Sequence, residues 1–335
     1  MKLTYERFDL KVIDPFRIAR GTTTVSPSII LKIDGGFGEA APSSFYGEDV
    51  ETASSFIERA KSLIGEDPFK LEEILRNIDS IMEGNGSAKA AIDMALYDNL
   101  GKLLGLPVYK LLGLSRPDSA YTSFTIAIDA PETMKRKTEK APGFSVYKVK
   151  VGVPGDEEMV AVVREATKAK IRVDANCGWK PKEAVEKIKS LHKYDIEFVE
   201  QPVERDDLEG LRYVRERVDI PIIADEGVMT SRDVARHYRA VDGINIKLSK
   251  CGGIREGLRM IHTARALGMK VMLGCMIETS VGIAAAMQLS SLADYLDLDG
   301  HLLIENNPFE GLGLEDGKVV PSGEPGLGVK RRVDS

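Results

Sequence analysis

The chain has 335 residues, 43% of them hydrophobic and 29% charged, which is enough apolar material for one large domain or two modest ones. A formal net charge of −6 gives no overall bias toward nucleic acid or an anionic membrane surface. Three cysteines without metal-type spacing (Cys177, Cys251 and Cys275) indicate free thiols in a reducing compartment rather than a disulfide framework. Because the chain has neither an apolar signal segment nor an 18-residue apolar run, we expect a cytoplasmic protein without a membrane span.

The first part of the chain, residues 1–115, predicts a small α+β domain. Alternating apolar and polar residues from Ser28 to Asp34, followed by the turn Gly35-Gly36, are typical of a short antiparallel sheet. Three helices are then predicted, at 50–63, 69–82 and 87–104. The Gly/Pro-rich tail, about residues 312–335, is too short for a core of its own, and we expect it to pack on this first domain and complete it.

Residues 116–311 read as alternating short apolar runs and amphipathic segments. Eight strands are predicted there, at 121–127, 146–151, 171–175, 196–200, 221–225, 243–247, 270–275 and 295–299. Runs such as Pro221 to Ala224 are apolar on both faces, as parallel strands covered by helices should be. The pattern predicts an α/β fold, a TIM-like (β/α)7β barrel. A doubly wound open sheet is the alternative, but its glycine-rich turn should follow the first strand, whereas Gly252-Gly253 follows the sixth.

Five ionisable residues end five successive predicted strands, spaced 22 to 26 residues apart: Lys150, Asp174, Glu200, Asp225 and Lys247. We call these five residues the ladder, and its three carboxylic residues the ladder acids. The carboxyl ends of barrel strands form the active-site face, so the three acids should converge there. Their mutual repulsion would be relieved by a divalent cation, and oxygen-only ligands favour Mg²⁺, one ion per subunit, over Zn²⁺. The alternative is that each acid caps the helix that follows it.

The lysines suggest acid–base chemistry on either side of that cation. Lys148 and Lys150 share one face of a strand, and the crowding of two ammonium groups there should lower at least one pKa toward neutrality. An exposed basic edge is the alternative. Lys247 lies four strands further on, across an eight-stranded barrel from Lys150. Opposed lysines predict removal of a proton from one face of a carbon and its return on the other, through an enediolate stabilised by the metal.

Two further sets of charged residues follow the ladder. Asp297 and Asp299 share a face of the last predicted strand and could bind a substrate ammonium group, although a polar turn before Gly300 is an equal alternative. Lys250 lies beyond its strand, next to Gly252-Gly253, and is expected to be structural or to face solvent.

Taken in order, the motifs of the chain resemble those of the enolase superfamily, in the branch of the muconate-lactonizing enzymes. The resemblance runs over nearly the whole length and is carried by Gly38 to Pro42, Ala91 to Tyr97, Lys148-Val-Lys150, Asp174-Ala-Asn176, Glu200-Gln-Pro202, Asp225-Glu226 and Asn245 to Gly253. It implies that the second lysine of Lys148-Val-Lys150 and the opposite Lys247 are the bases, and that the three acids hold Mg²⁺. It also implies a homo-oligomer, the common state in that superfamily.

Within that branch, the pair Asp297-x-Asp299 is similar to the signature of dipeptide epimerases, in which two acids hold the free α-ammonium. The resemblance implies epimerisation of the second residue of a dipeptide, L-Ala-D/L-Glu from murein peptides or another L-Ala-X. N-acylamino acid racemase and o-succinylbenzoate synthase are the alternatives, and a non-catalytic metal-dependent binding protein would not need opposed lysines. The substrate contacts implied are Asp297, Asp299, Thr125, Lys148, Cys275 and Arg20, with Thr125 equally readable as an ordinary strand residue and Arg17 competing with Arg20 for a distal carboxylate.

Overall fold

A long β-hairpin opens the chain in the computed structural model, which describes residues 1–117 and 121–333. Strands β1 and β2 pair antiparallel, and β3 adds to the free edge of β2. The first elements are β1 Leu3–Ile18, β2 Gly21–Ile33, β3 Gly36–Ala40, α1 Val50–Ala60, α2 Leu71–Asp79, α3 Gly86–Leu104 and α4 Val108–Leu111. The predicted helices are right in type, although α1 and α2 are shorter than predicted. After α1, Lys61–Leu63 form a 3₁₀ turn, and α2 begins two residues later and ends three residues earlier than expected.

Helix α3 packs directly on strand β3, and a glycine permits the contact. A Cβ added at Gly38 would lie 1.8 Å from the carbonyl oxygen of Ala91 in the helix. The backbones therefore touch without an intervening side chain, which fixes the first sheet against its longest helix.

We expect Gly38→Ala to lower the free energy of unfolding by about 3 kcal/mol, because the new methyl group meets main-chain atoms that cannot rotate away. Thermal unfolding with a Gly143→Ala control measures this, since a Cβ at Gly143 would have no atom within 4 Å. Equal melting temperatures for the two variants would contradict the close contact.

The second part of the chain is a barrel of parallel strands. Its elements are β4 Phe124–Ile126, α5 Pro131–Glu139, β5 Val146–Lys150, α6 Asp156–Ala166, β6 Lys170–Asp174, α7 Pro181–Leu191, β7 Ile196–Glu200, α8 Leu208–Arg215, β8 Ile222–Ala224, α9 Ser231–His237, β9 Gly243–Lys247, α10 Leu248–Cys251, α11 Ile254–Ala266, β10 Lys270–Gly274, α12 Ser280–Met287 and β11 Tyr295–Asp297. The eight strands pair in sequence order from β4 to β11. The predicted α/β barrel, which follows an N-terminal α+β part along the chain, is therefore confirmed.

The barrel closes through a short seam between its first and last strands. Thr122 forms a parallel bridge with Leu296, and the Ser123 N–H donates to the Leu296 carbonyl oxygen at 3.2 Å. The first strand is shorter than predicted, because Thr122 and Ser123 make isolated contacts with Leu296 and Tyr121 bridges Lys318 in the C-terminal tail.

The interior of the barrel changes character along its axis. In the middle of β7, β8 and β10, the side chains of Phe198, Ile223 and Met272 form a buried apolar layer. The Arg172 guanidinium lies 5.2 Å from the ring centres of both Phe198 and Tyr295. Above this layer, toward the carboxyl ends, most of the inward-facing side chains are charged. The layer thus forms the floor of the site.

The C-terminal tail contacts both parts of the molecule. Its strands are β12 Phe309–Glu310, β13 Leu312–Glu315, β14 Lys318–Pro321 and β15 Lys330–Arg331. Gly326 exchanges hydrogen bonds with Leu106 and Val108 at 3.0 and 2.9 Å, whereas Gly317 accepts from the Thr122 N–H at 3.0 Å. Among the helices in the described parts of the chain, none has the length and apolarity needed to cross a membrane.

Candidate active site

A cavity of about 460 Å³ opens at the carboxyl ends of the barrel strands. The tip of the β1–β2 hairpin and the loop after β3 cover it, and the Ile128 N–H donates to the Arg17 carbonyl oxygen at 2.9 Å, which holds the hairpin to the barrel. The barrel side of the lining includes Thr125, Lys148, Lys150, Asp225, Lys247, Cys275, Asp297 and Asp299. The covering side includes Phe16, Ile18, Arg20, Ser43 and Tyr46. All the lysines predicted for the site, but only one of the three ladder acids, reach the cavity surface.

The three acids lie side by side at the strand ends. Lys150, Asp174 and Glu200 are in register across β5, β6 and β7, and Asp225 directly follows β8. All three carboxylates are buried. The position of Asp225 is fixed by its N–H, which donates to the Gln201 side-chain oxygen at 2.8 Å. The predicted ladder is thus brought together in space.

Lys148 lies at the centre of this group. Its Nζ is 3.1 Å from Asp174, 2.8 Å from Glu200 and 2.8 Å from Asp297. Burial alone would lower the pKa of Lys148, but attraction to these carboxylates outweighs burial and holds the pKa well above its usual value. The expected lowering of a lysine pKa is therefore wrong for Lys148, because carboxylates from three strands surround it.

The two candidate bases are each paired with one ladder acid. Lys150 Nζ lies 2.6 Å from Asp174 Oδ2, and Lys247 Nζ lies 2.8 Å from Asp225 Oδ2. Burial lowers the pKa of Lys247, but Asp225 more than compensates and raises it well above its usual value. Strands β5 and β9 are four strands apart, so the two ammonium groups approach the cavity from opposite walls.

The pKa values of Asp225 and Glu200 are shifted by the same close packing of charged side chains. Burial raises the pKa of Asp225, but Lys247 and Lys250 outweigh it and hold the pKa well below its usual value. Glu200 has fewer cationic partners, so burial and the neighbouring Asp174 raise its pKa to about 7. Of the three acids, Glu200 is therefore the one whose carboxylate form is least stabilised by neighbouring lysines.

The donor set suits a hard divalent cation, although the described residues contain no ready-made metal cluster. In residues 1–117 and 121–333, no three Asp, Glu, His or Cys side chains form a metal-binding group as they stand, and lysines pair with the acids instead. Three buried oxygens near the acids accept no hydrogen bond from any described residue: Asn176 Oδ1, Glu226 Oε2 and Asn245 Oδ1. Oxygen donors left unsatisfied beside carboxylates are the ligands that Mg²⁺ prefers.

The residues predicted to bind an ammonium group adjoin the seam of the barrel. Asp297 accepts from the Ser123 hydroxyl, and Asp299 accepts from the Thr125 N–H at 2.7 Å. Burial and the nearby Asp297 raise the pKa of Asp299 to about 6. Burial also raises the pKa of the Cys275 thiol, with a further contribution from the two acids. Asp297, Asp299, Thr125 and Cys275 thus form one acidic corner of the cavity.

The structure distinguishes the two arginines of the hairpin tip. Arg20 Nη1 donates to the Asn176 carbonyl oxygen at 2.7 Å and to Glu226 Oε1 at 2.6 Å, and the guanidinium lies 4.1 Å from the Phe45 ring centre. The Arg17 side chain is exposed and does not line the cavity. Of the two, Arg20 is the one placed to meet a bound molecule.

Several polar residues of the site were not predicted from the sequence. Gln201 and Glu226 follow strand ends, and Asn245 shares the inward face of β9 with Lys247, a period-two signal that could have identified it. Lys250 does not face solvent: it is buried and its Nζ lies 2.7 Å from Asp225 Oδ1. The single turn α10 carries Lys250 back toward the barrel axis, which strand periodicity does not anticipate.

Comparison with known proteins gives the same family as the sequence motifs, over nearly the whole chain. Residues 3–113 match the mandelate racemase / muconate lactonizing enzyme N-terminal domain, and residues 132–335 match the enolase C-terminal domain-like family. The L-Ala-D/L-Glu epimerase of Bacteroides thetaiotaomicron is 41% identical, over 99% of this chain and 88% of that protein.

Solved structures of related enzymes are also similar to this chain over nearly its whole length. The dipeptide epimerase of Enterococcus faecalis complexed with Mg and the dipeptide L-Leu-L-Tyr has a TM-score of 0.93 at 36% identity, covering 98% of this chain and 99% of that one. A substrate-liganded complex of the L-Ala-D/L-Glu epimerase from Bacillus subtilis has a TM-score of 0.93 at 36% identity, with 98% of each chain covered. The chain therefore belongs to the mandelate racemase / muconate lactonizing enzyme family of the enolase superfamily.

Proposed function

We propose that the protein is an isomerase, a Mg²⁺-dependent dipeptide epimerase that inverts the Cα of the second residue. The observation that carries the proposal is the pair of lysines, Lys150 and Lys247, on opposite walls of one cavity with three buried acids between them. The epimerases among its relatives and the Mg–dipeptide complex of the similar Enterococcus faecalis enzyme support it.

In this proposal Asp174, Glu200 and Asp225 hold one Mg²⁺ per chain. When bound, the ion supplies charge stabilisation to the terminal carboxylate of the dipeptide as negative charge develops there. Lys148 holds Asp174 and Glu200 close together and neutralises part of their charge, whereas Lys247 and Lys250 pair with Asp225. The metal-binding side chains are therefore gathered before any ligand arrives.

In this proposal, Lys150 and Lys247 transfer the α-proton of the second residue. One of Lys150 and Lys247 accepts the α-proton from one face of the second residue, leaving an enediolate, and the other donates a proton from the opposite face. Each lysine must first be neutral in order to accept. For Lys247 the pKa is held up by Asp225, a carboxylate that the cation would share, so loss of that attraction would favour the neutral amine.

The acidic corner of Asp297 and Asp299 fits the free α-ammonium of the first residue. Thr125 orients Asp299, and Ser123 orients Asp297. N-acylated substrates have no such charge, so this corner favours a dipeptide over an N-acylamino acid.

Asp297→Asn should lower kcat/KM for a free dipeptide by about 10- to 100-fold more than for its N-acetyl form, because a charge-assisted hydrogen bond is lost only with the free substrate. The ratio of the two kcat/KM values is the measurement. Any damage through Lys148, which also contacts Asp297, affects both substrates and cancels in the ratio. Ser123→Ala is the control, since it removes a partner of Asp297 and keeps the charge; an unchanged ratio in Asp297→Asn would contradict the ammonium site.

The second residue is proposed to carry a carboxylate, as in L-Ala-D/L-Glu from murein peptides in the cytoplasm. Arg20 supports this, because only its Nη1 makes the hydrogen bonds to Glu226 and Asn176, while the side chain lines the cavity. The apolar Phe16 and Ile18 nearby also suit an aliphatic or aromatic residue.

A dipeptide library incubated in D₂O with and without Mg²⁺, read by chiral separation and mass spectrometry, tests the proposal. We expect Mg²⁺-dependent deuterium incorporation with inversion at the second residue, strongest for L-Ala-L-Glu. No exchange in any dipeptide would overturn the proposed function. Faster exchange of N-acylamino acids would replace it with a racemase.

A further inference from the structure

A buried amide lies directly beside one of the three acids. Asn245, on the inward face of β9, is fully buried, and its Nδ2 donates to Glu200 Oε1 at 2.8 Å. The hydrogen bond passes over strand β8 and joins β9 to β7. Asn245 is not part of the cavity lining, so its side chain acts on Glu200 and not on a bound molecule.

Gly274 at the end of β10 makes room for this amide. A Cβ added there would lie 2.5 Å from Asn245 Oδ1 and 2.7 Å from Nδ2, closer than unbonded atoms approach. The backbone of Gly274 does not have the positive φ that would itself call for glycine. The absent side chain is therefore explained by the space that Asn245 occupies.

Glu200 is held differently from its two neighbours. Asp174 and Asp225 are each paired with a lysine of their own, Lys150 and Lys247. Glu200 has the shared Lys148 on Oε2 and the uncharged amide on Oε1. An amide donor can fix the direction of a carboxylate without adding a positive charge that would oppose a cation.

We propose that Asn245 is a positioning residue that orients Glu200 for Mg²⁺ binding, and that Gly274 is required because it leaves space for Asn245. This inference rests on the proposed function, since it assigns Glu200 as a ligand. It adds two residues from neighbouring strands to the determinants of metal affinity.

Titration calorimetry of Mg²⁺ into the full chain, without substrate, tests the inference. We expect Asn245→Ala to weaken Mg²⁺ binding by about 10- to 100-fold, the usual effect of losing a side chain that orients a metal ligand. The Mg²⁺ concentration for half-maximal turnover should rise by a similar factor. Gly274→Ala should act in the same direction, because its methyl group displaces the amide.

Gly243→Ala on β9 is the matched control. A Cβ there would lie 2.7 Å from Ile223 Cδ1 and 2.8 Å from Lys270 Cβ, so this variant also overfills the barrel but leaves Asn245 alone. We expect a lower melting temperature and a Mg²⁺ affinity within about twofold of the parent protein. An equal loss of affinity in Gly243→Ala would show that general loosening of the barrel suffices, and would overturn the inference.

The double variant Asn245→Ala/Gly274→Ala keeps the inference testable if Gly274→Ala alone does not fold. Its two methyl groups share the space that the amide occupied, so the melting temperature should exceed that of Gly274→Ala, while Mg²⁺ binding stays as weak as in Asn245→Ala. Parental Mg²⁺ affinity in Asn245→Ala or in the double variant would overturn the positioning role. Failure of the parent protein to bind Mg²⁺ would instead overturn the proposed function.

Discussion

Replacing either Lys150 or Lys247 with alanine is expected to reduce epimerisation by about 10²- to 10⁴-fold, the usual contribution of a positioned acid or base. The two variants should differ in which α-proton exchange reaction remains. If each lysine serves one face of the α-carbon, the remaining lysine still exchanges the α-proton of one enantiomer with solvent. Proton NMR in D₂O, run separately on the L,L and L,D dipeptides, therefore should show exchange of opposite enantiomers in the two variants.

A Lys170→Ala control separates this effect from loss of charge in the barrel. Lys170 lies at the amino end of β6, where its side chain is 66% exposed and pairs with Glu197. Its removal should leave both exchange reactions unaltered. Near-normal epimerisation in both site variants, or retention of the same enantiomer in both, would refute the assignment of one base to each face.

Lys148→Met is expected to cause the largest loss of stability. It leaves the buried acids Asp174, Glu200 and Asp297 without their shared cation, and breaking a buried ion pair from one side destabilises by about 3–5 kcal/mol. Because the folded-state pKa of Lys148 is raised, its contribution is fully present below the unfolded lysine pKa of about 10.4 and is lost only as pH rises through the folded value. Thermal unfolding at pH 7 in EDTA therefore measures the whole effect.

Added Mg²⁺ should restore part of the stability lost in Lys148→Met, because the divalent ion replaces the missing positive charge among the acids. Lys102→Met is the control: Lys102 also pairs with a buried acid, Asp98, at 2.7 Å, but far from the cavity. Its melting temperature should fall without any additional recovery in Mg²⁺. Equal recovery in the two variants would show that the acids around Lys148 do not bind the ion.

The sequence was sufficient for the barrel and for the gathering of the five ladder residues. Parallel strands buried on both faces leave long apolar runs, and an ionisable residue at the end of each run is conspicuous. Strand periodicity also placed Lys148 and Lys150 on one inward face, where the structure has them. These predictions depend only on local pattern and on the common edge that parallel strands share.

What the sequence could not supply is the identity of neighbours across the barrel. The lowered lysine pKa was expected from Lys148 and Lys150 alone, whereas Asp297, 149 residues away, and two ladder acids reverse the sign for Lys148. Similarly, alternation along β1 does not choose between Arg17 and Arg20, because Arg20 lies beyond the end of β1, in the turn before β2. Such contacts depend on twist and register, which a one-dimensional pattern does not contain.

The seam between the first and last barrel strands has a consequence for how the molecule is made. The hydrogen bonds from Ser123 to Asp297 and from Thr125 to Asp299 each join residues 174 positions apart, so they cannot form until nearly the entire chain has been synthesised. A growing chain that ends before Tyr295 already contains all three ladder acids and both candidate bases, yet it has no acidic corner and an open barrel. Contacts of such long range form late and slowly. Closure of the barrel and completion of the acidic corner therefore depend on the same long-range contacts, so the proposed selection of substrate would require a fully folded chain.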